Sequence, residues 1–101
     1  SMQDIAKAAQ DQVQIKHTAT DKPKVIIDIR TADEIEEQPL STSFEVIEMP
    51  FFKVQSEFVK LDDANHYLLY CSQGVMSKMQ TLLLQEAGYS NVSVYEGQDV
   101  E

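Results

Sequence analysis

Residues 66–88 read HYLLYCSQGVMSKMQTLLLQEAG, and the change of rhythm inside them decides the fold. The first five are a continuous apolar and aromatic run, the pattern of a strand covered on both faces. From Val75 onward the apolar residues Val75, Met79, Leu82 and Leu83 recur at helical spacing, and Gly88 is placed to stop the helix. Between strand and helix stand Cys71, Ser72, Gln73 and Gly74, and Cys71 is the only cysteine of the chain.

The same alternation extends in both directions. Residues 25–29 (VIIDI) are nearly all β-branched, as in a strand of a parallel sheet. Thr31 to Glu34 (TADE) is a capping box, in which Thr31 caps a short helix that must end before Pro39. Residues 44–49 (FEVIEM) suit another strand. Pro50 then opens a helix whose apolar face is Phe51, Val54, Phe58 and Leu61. Residues 62–65 (DDAN) form a turn, and residues 91–95 (NVSVY) a last strand. Before all of this, residues 4–12 favour a short helix, residues 13–17 an edge strand and residues 18–24 a polar turn. The whole reads as an α/β domain with a mostly parallel central sheet of about four to five strands and helices on both faces. Residues 1–21 form a lead-in that begins with an expression-tag scar at Ser1, residues 22–98 the domain, and residues 99–101 a tail.

Composition removes several classes of function. A chain of 101 residues, 43% hydrophobic, supports one domain with one core. Its formal net charge of −9 repels phosphate backbones, so direct nucleic-acid binding by this domain is not expected. No apolar stretch approaches the roughly 18 residues needed to span a bilayer, and no membrane association is expected. One cysteine and two separated histidines, His17 and His66, make no metal site, and neither histidine is given a role. A single cysteine without a disulfide partner fits a reducing, cytoplasmic setting.

Cys71 has two readings, a small buried hydrophobe or a nucleophile. In an open α/β sheet ligands gather at the turns beyond the carboxyl ends of the strands, and Cys71 lies at such a turn. Gly74 lets the backbone curl, so that the N–H groups of Ser72, Gln73, Gly74, Val75, Met76 and Ser77 could ring the sulfur at a helix N-terminus. That arrangement favours an ionised sulfur and supports nucleophilic chemistry. Cysteine phosphatases need an arginine six positions after the cysteine, where this chain has Ser77. The remaining chemistry is sulfur transfer, with the thiolate taking up a sulfur atom to become a persulfide. Asp28, Arg30 and Lys78 are possible supporting residues. For Asp28 the turn after the strand is the plainer role, and for Lys78 a solvated surface position. Arg30 and Glu34 could pair near the site, but a structural ion pair for Arg30 and a helix cap for Glu34 are the plainer roles. Met76 could wall the site or fill the core. Phe51 and Phe52 could expose a docking patch, but at least one of them is expected in the core.

The chain resembles the rhodanese-like domain. The resemblance is carried by Ile27-Asp28-Ile29-Arg30 followed by Glu34, by the strand into Cys71-x-x-Gly74 and Ser77, and by Ala87-Gly88-Tyr89 with Asn91-Val92. Gln38-Pro39-Leu40, Met49-Pro50-Phe51-Phe52-Lys53 and residues 71–78 (CSQGVMSK) are similar to one branch, the C-terminal rhodanese domains of tRNA 4-thiouridine synthetases. The resemblance implies a persulfide on Cys71, loaded by a pyridoxal-phosphate cysteine desulfurase. It implies delivery to a tRNA uridine activated by ATP in a separate domain, or to a sulfur-carrier protein of thiamine thiazole synthesis. No cofactor would reside in this chain. General rhodaneses often carry a cation five positions after the cysteine, where Met76 stands, which argues against thiosulfate as donor. The family's resolving cysteine has no counterpart here. The alternatives are a non-catalytic rhodanese-like interaction module and a stand-alone general sulfurtransferase.

Overall fold

A computed structural model of the protein describes residues 1–5, 15, 20–97 and 99. The helix and edge strand expected over residues 4–17 fall, apart from Asp4, Ile5 and Ile15, outside the described residues. Four strands, β1 (Lys24–Asp28), β2 (Glu45–Glu48), β3 (His66–Tyr70) and β4 (Val92–Val94), form one sheet in the order β2-β1-β3-β4. Every pairing is parallel, with Val25 opposite Glu45 and Tyr67, and Tyr67 opposite Val92. Parallel neighbours need crossover connections, and each of the three carries helix: α1 (Ala32–Glu37), α2 (Val54–Glu57) and α3 (Val75–Glu86). The expected α/β fold with a parallel sheet is therefore present.

The β-branched run of β1 is buried along nearly its whole length because it lies between two strands. On one face, Val25, Ile27, Tyr67, Leu69 and Val92 pack with Val54, Phe58 and Leu84. Phe58 is 2% exposed and meets the rings of Tyr67 and Tyr89 edge-on, at 5.4 and 4.9 Å. The opposite face, with Ile26, His66 and Ser93, is buried as well. There the His66 Nε2 lies 2.7 Å from the Ser93 hydroxyl. The capping box forms as read: Thr31 Oγ1 accepts from the Glu34 N–H, and the Glu34 carboxylate accepts from the Thr31 N–H. Gly88, at φ +107°, closes α3 by donating to Gln85, and Tyr89 donates to Leu84. Near the C-terminus the Asp99 carboxylate accepts from the Thr42 and Ser43 hydroxyls, the Ser43 N–H and the Tyr95 hydroxyl. These bonds pull its carboxyl down to about 2.

Two sequence expectations are corrected. The inward face of α3 is Ser77, Gln80, Thr81, Leu82 and Leu84, whereas Leu83 is exposed. Small polar residues approach the sheet because their hydroxyls find acceptors, Thr81 on the Ser93 carbonyl of β4 and Ser77 on the Gly74 carbonyl at the start of its own helix. A stripe read from hydrophobicity alone is consequently rotated. The second correction concerns the helix after Pro50, which is a 3-10 turn (Phe51–Lys53), a single α turn and another 3-10 turn (Phe58–Lys60). Val54 and Phe58 are buried as expected, but Phe51 and Phe52 both face solvent, so neither is in the core. The tighter winding of the first turn, tied to the sheet by the Phe51 N–H donating to the Ile29 carbonyl at 2.9 Å, swings both rings outward.

Truncating Phe58 to alanine should lower stability by about 3–5 kcal/mol in urea unfolding, whereas a loss below about 1 kcal/mol would contradict the packing described. Burial, with smaller contributions from Lys24 and Lys22, holds the His66 imidazole below its ordinary value. The unfolded chain then takes up the proton first, so stability is complete above about pH 6.5 and declines as pH falls below it. The melting temperature should drop between pH 7 and pH 5.5, and drop less in His66→Gln; equal slopes in the two proteins would refute this role.

Candidate functional site

Because the strands are parallel, their carboxyl ends share one edge, and the turns after β1, β2 and β3 meet there. Backbone bonds lace them together: the Ile29 N–H donates to the Tyr70 carbonyl, Met49 to Asp28, and Phe51 to Ile29. Cys71 is the first residue beyond β3. Gly74 lies in the left-handed region at φ +81° and caps α3, a conformation that side-chain-bearing residues rarely adopt. That reversal turns the first N–H groups of α3 back toward the cysteine.

The sulfur is the focus of the loop. Cys71 Sγ accepts from the N–H groups of Gly74 and Ser77, at 3.2 and 3.3 Å. The Ser77 hydroxyl lies 3.4 Å from Sγ, accepting from the thiol, and itself donates to the Gly74 carbonyl at 3.1 Å. Once the thiol proton leaves, the same hydroxyl can turn and donate to the thiolate. Ser77 is 1% exposed and fixed by its place in the first turn of α3, so the partners of the sulfur are preset. The aligned peptides of a twelve-residue helix add a positive potential at this end.

Around Cys71 opens a shallow cleft of about 260 Å³, whose lining includes Ile29, Arg30, Phe51, Val75 and Met76. Ser72, Gln73 and Glu34 complete its rim. Ser72 and Gln73 are exposed, and the Ser72 hydroxyl donates to the Glu34 carboxylate at 3.4 Å. Glu34 thus both caps α1 and touches the cysteine loop. Its carboxyl is held below the usual range chiefly by the hydrogen bond from the Thr31 backbone N–H. Met76 serves in both of its expected places, lining the cleft and packing against the core.

The three supporting candidates fare differently. Arg30 lies in the cleft wall, but its guanidinium is occupied. Nε and Nη2 bind the two oxygens of Asp28 at 3.0 and 2.8 Å, and Nη1 donates to the Gln38 carbonyl at 2.8 Å. The Asp28 hydrogen bond raises its already high pKa further against the opposing effect of burial. Asp28 also accepts from the Arg30 N–H, so it holds the turn and does not reach the sulfur. Lys78 is half-buried beside Gly74, on the same helix, and does not line the cleft. Among the described residues, the nitrogen donors that reach the sulfur are therefore backbone N–H groups. Sequence reading did not place Ile29 or Phe51 in the cleft, and for Glu34 it preferred the helix cap to a place near the site, whereas the residue has both. The signal for Phe51 was available in the Met49-Pro50 step, which ends β2 at the same edge. Among the described residues no group of three histidine, cysteine, aspartate or glutamate side chains is arranged to hold a metal ion.

The rhodanese-like domain family model matches residues 9–98. Curated relatives named tRNA sulfurtransferase include one from Haemophilus ducreyi, 46% identical over 84% of this chain and 18% of its own length. One from Haemophilus influenzae is 52% identical over 71% of this chain and 15% of its own. One from Yersinia pestis is 44% identical over 93% of this chain and 20% of its own. The chain thus spans about a fifth of the length of these relatives. Two solved structures share the fold. A NAD-dependent persulfide reductase from A. fulgidus superposes with a TM-score of 0.61 at 22% identity, over 93% of this chain and 17% of that one. A single-domain sulfurtransferase from Saccharomyces cerevisiae superposes with a TM-score of 0.56 at 19% identity, over 89% of this chain and 80% of that one. With the family model covering nearly the whole chain, and the cysteine loop standing where its parallel sheet opens, the protein belongs to the rhodanese-like family.

Proposed function

We propose that this chain is a sulfurtransferase domain that carries sulfur as a persulfide on Cys71. The observation that carries the reading is the sulfur held by the N–H groups of Gly74 and Ser77 and beside the Ser77 hydroxyl, at the edge of an open cleft. In the loading step the Cys71 thiolate attacks the terminal sulfur of a donor persulfide. The donor's S–S bond breaks, a new one forms on Cys71, and the donor leaves as its thiolate. No external oxidant or reductant is consumed. The N–H groups of the loop stabilise the charge on whichever sulfur bears it, which a ring of donors does without a side-chain cation.

The donor in this reading is a cysteine desulfurase, which uses pyridoxal phosphate to strip sulfur from cysteine. The acceptor is a tRNA uridine bound for 4-thiouridine, activated by ATP in another domain, or a thiamine-pathway sulfur-carrier protein. The relatives named tRNA sulfurtransferase support the first acceptor. A resolving cysteine belongs to that other domain, because Cys71 is the only one here. Thiosulfate is the poorer donor, since Arg30 is occupied by Asp28 and Met76 stands where a loop cation would be. A cytoplasmic location accords with a thiol that must stay reduced between turnovers.

Incubation with an active cysteine desulfurase and cysteine should add one sulfur, about 32 Da, to the intact mass, removable by reductant and absent from Cys71→Ala. An unmodified mass under those conditions would sink the carrier reading. Ser77→Ala removes the hydroxyl beside the sulfur and should slow loading by about tenfold, the equivalent of one hydrogen bond. An undiminished rate in that variant would show that the hydroxyl takes no part.

A further inference from the structure

The rim of the cleft carries a feature that the chemistry at Cys71 does not use. Phe52 is 68% exposed and Phe51 38%, and their rings meet edge-to-face at 5.5 Å. Two adjacent exposed phenylalanines are costly to leave in water, and the pair is not drawn into the core by any packing need, since Val54 and Phe58 fill that space. Phe51 lines the cleft, so the pair forms an apolar shoulder running from the cysteine outward. The Phe51 backbone is anchored by its N–H to the Ile29 carbonyl, which makes the shoulder a rigid part of the sheet edge. On the other side of the cleft stands the ionised Glu34, and the chain as a whole carries −9.

We infer that the Phe51–Phe52 shoulder is the docking surface for the sulfur-donor protein, and that it receives a loop with an apolar tip and basic flanks that bears the donor's persulfide. This rests on the carrier reading of Cys71 and names how its cargo arrives. Two constraints choose the occupant. Cys71 is half-buried in a cleft of about 260 Å³, so a sulfur fixed to a protein must be delivered on a projecting loop. The cleft also offers such a loop no free side-chain cation, while the acidic chain attracts a basic partner from a distance. Apolar contact beside the cysteine then supplies short-range affinity, as buried aromatic anchors do at interfaces.

The test compares two donors for Phe52→Ser, a residue outside the cleft lining whose nearest ring is that of Phe51. With a cysteine desulfurase and cysteine, Cys71 loading at low donor concentration should fall at least about tenfold, the scale of one lost aromatic anchor, with most of the loss recovered at saturating donor. With inorganic polysulfide, which needs no docking, the loading rate should match that of the unmodified protein, which also reports that the variant is folded. Raising ionic strength should slow only the desulfurase reaction. A similar fall with both donors would overturn the inference, because Phe52 would then act on the cleft and not on docking. Undiminished loading from the desulfurase would overturn it equally. Should Cys71 in the unmodified protein load from neither donor, the carrier reading fails, and the docking inference with it.

Discussion

The carboxyl edge of the sheet is organised by one buried ion pair. Asp28 ends β1 and grips Arg30 through both carboxylate oxygens, with side-chain exposures of 1% and 3%. The guanidinium then reaches the Gln38 carbonyl just beyond α1, and it lies 5.0 Å from the centre of the Tyr70 ring at the end of β3. Three elements that diverge from the sheet are thereby held together within one turn of chain. Removing either partner would strand a buried charge, which typically costs about 3–5 kcal/mol. The interaction also has a chemical consequence, because the cation nearest the cleft is withdrawn from any ligand.

That withdrawal shapes the site above it. The sulfur has to draw its stabilisation from the peptide N–H groups of Gly74 and Ser77, and the left-handed turn at Gly74 exists to aim them. The requirement runs back into packing: α3 must stand where its first turn meets Cys71. Ser77 and Thr81, fully buried small residues, let it lie against the sheet at that position. The core, the helix and the cysteine loop are therefore one construction problem with one solution.

Much of this was legible in the sequence. The β-branched run 25–29, the aromatic run 66–70, the capping box at Thr31 and the stop at Gly88 all carry local signals, and each forms where its residues point. The reading failed where position depends on partners distant in sequence. Leu83 and Leu84 are the same residue type, and a stripe read from hydrophobicity alone leaves out Ser77, Gln80 and Thr81, the polar residues that share the inward face with Leu84. At least one of Phe51 and Phe52 read as core, with an exposed patch as the other reading, and both are exposed. A single backbone bond to Ile29, across twenty-two residues, sends them outward. The cleft was foreseen in Cys71 and its loop; for Glu34 the capping box was the stronger local signal, and the contact with Ser72, thirty-eight residues away, carried none.

The arrangement at Ser77 bears on how the loop responds to a change of charge on the sulfur. Its backbone donor is locked by the helix and cannot swing away, while its hydroxyl has a choice of partners, the Gly74 carbonyl or the sulfur. A charge appearing on the sulfur is met by a small rotation of one hydroxyl, and its disappearance is met by the reverse. Neither event asks the backbone around it to move, because the two N–H donors stay where the helix and the Gly74 turn hold them. The loop thus meets a charge that comes and goes on the sulfur with the rotation of a single hydroxyl, and the fold supplies the rest in advance.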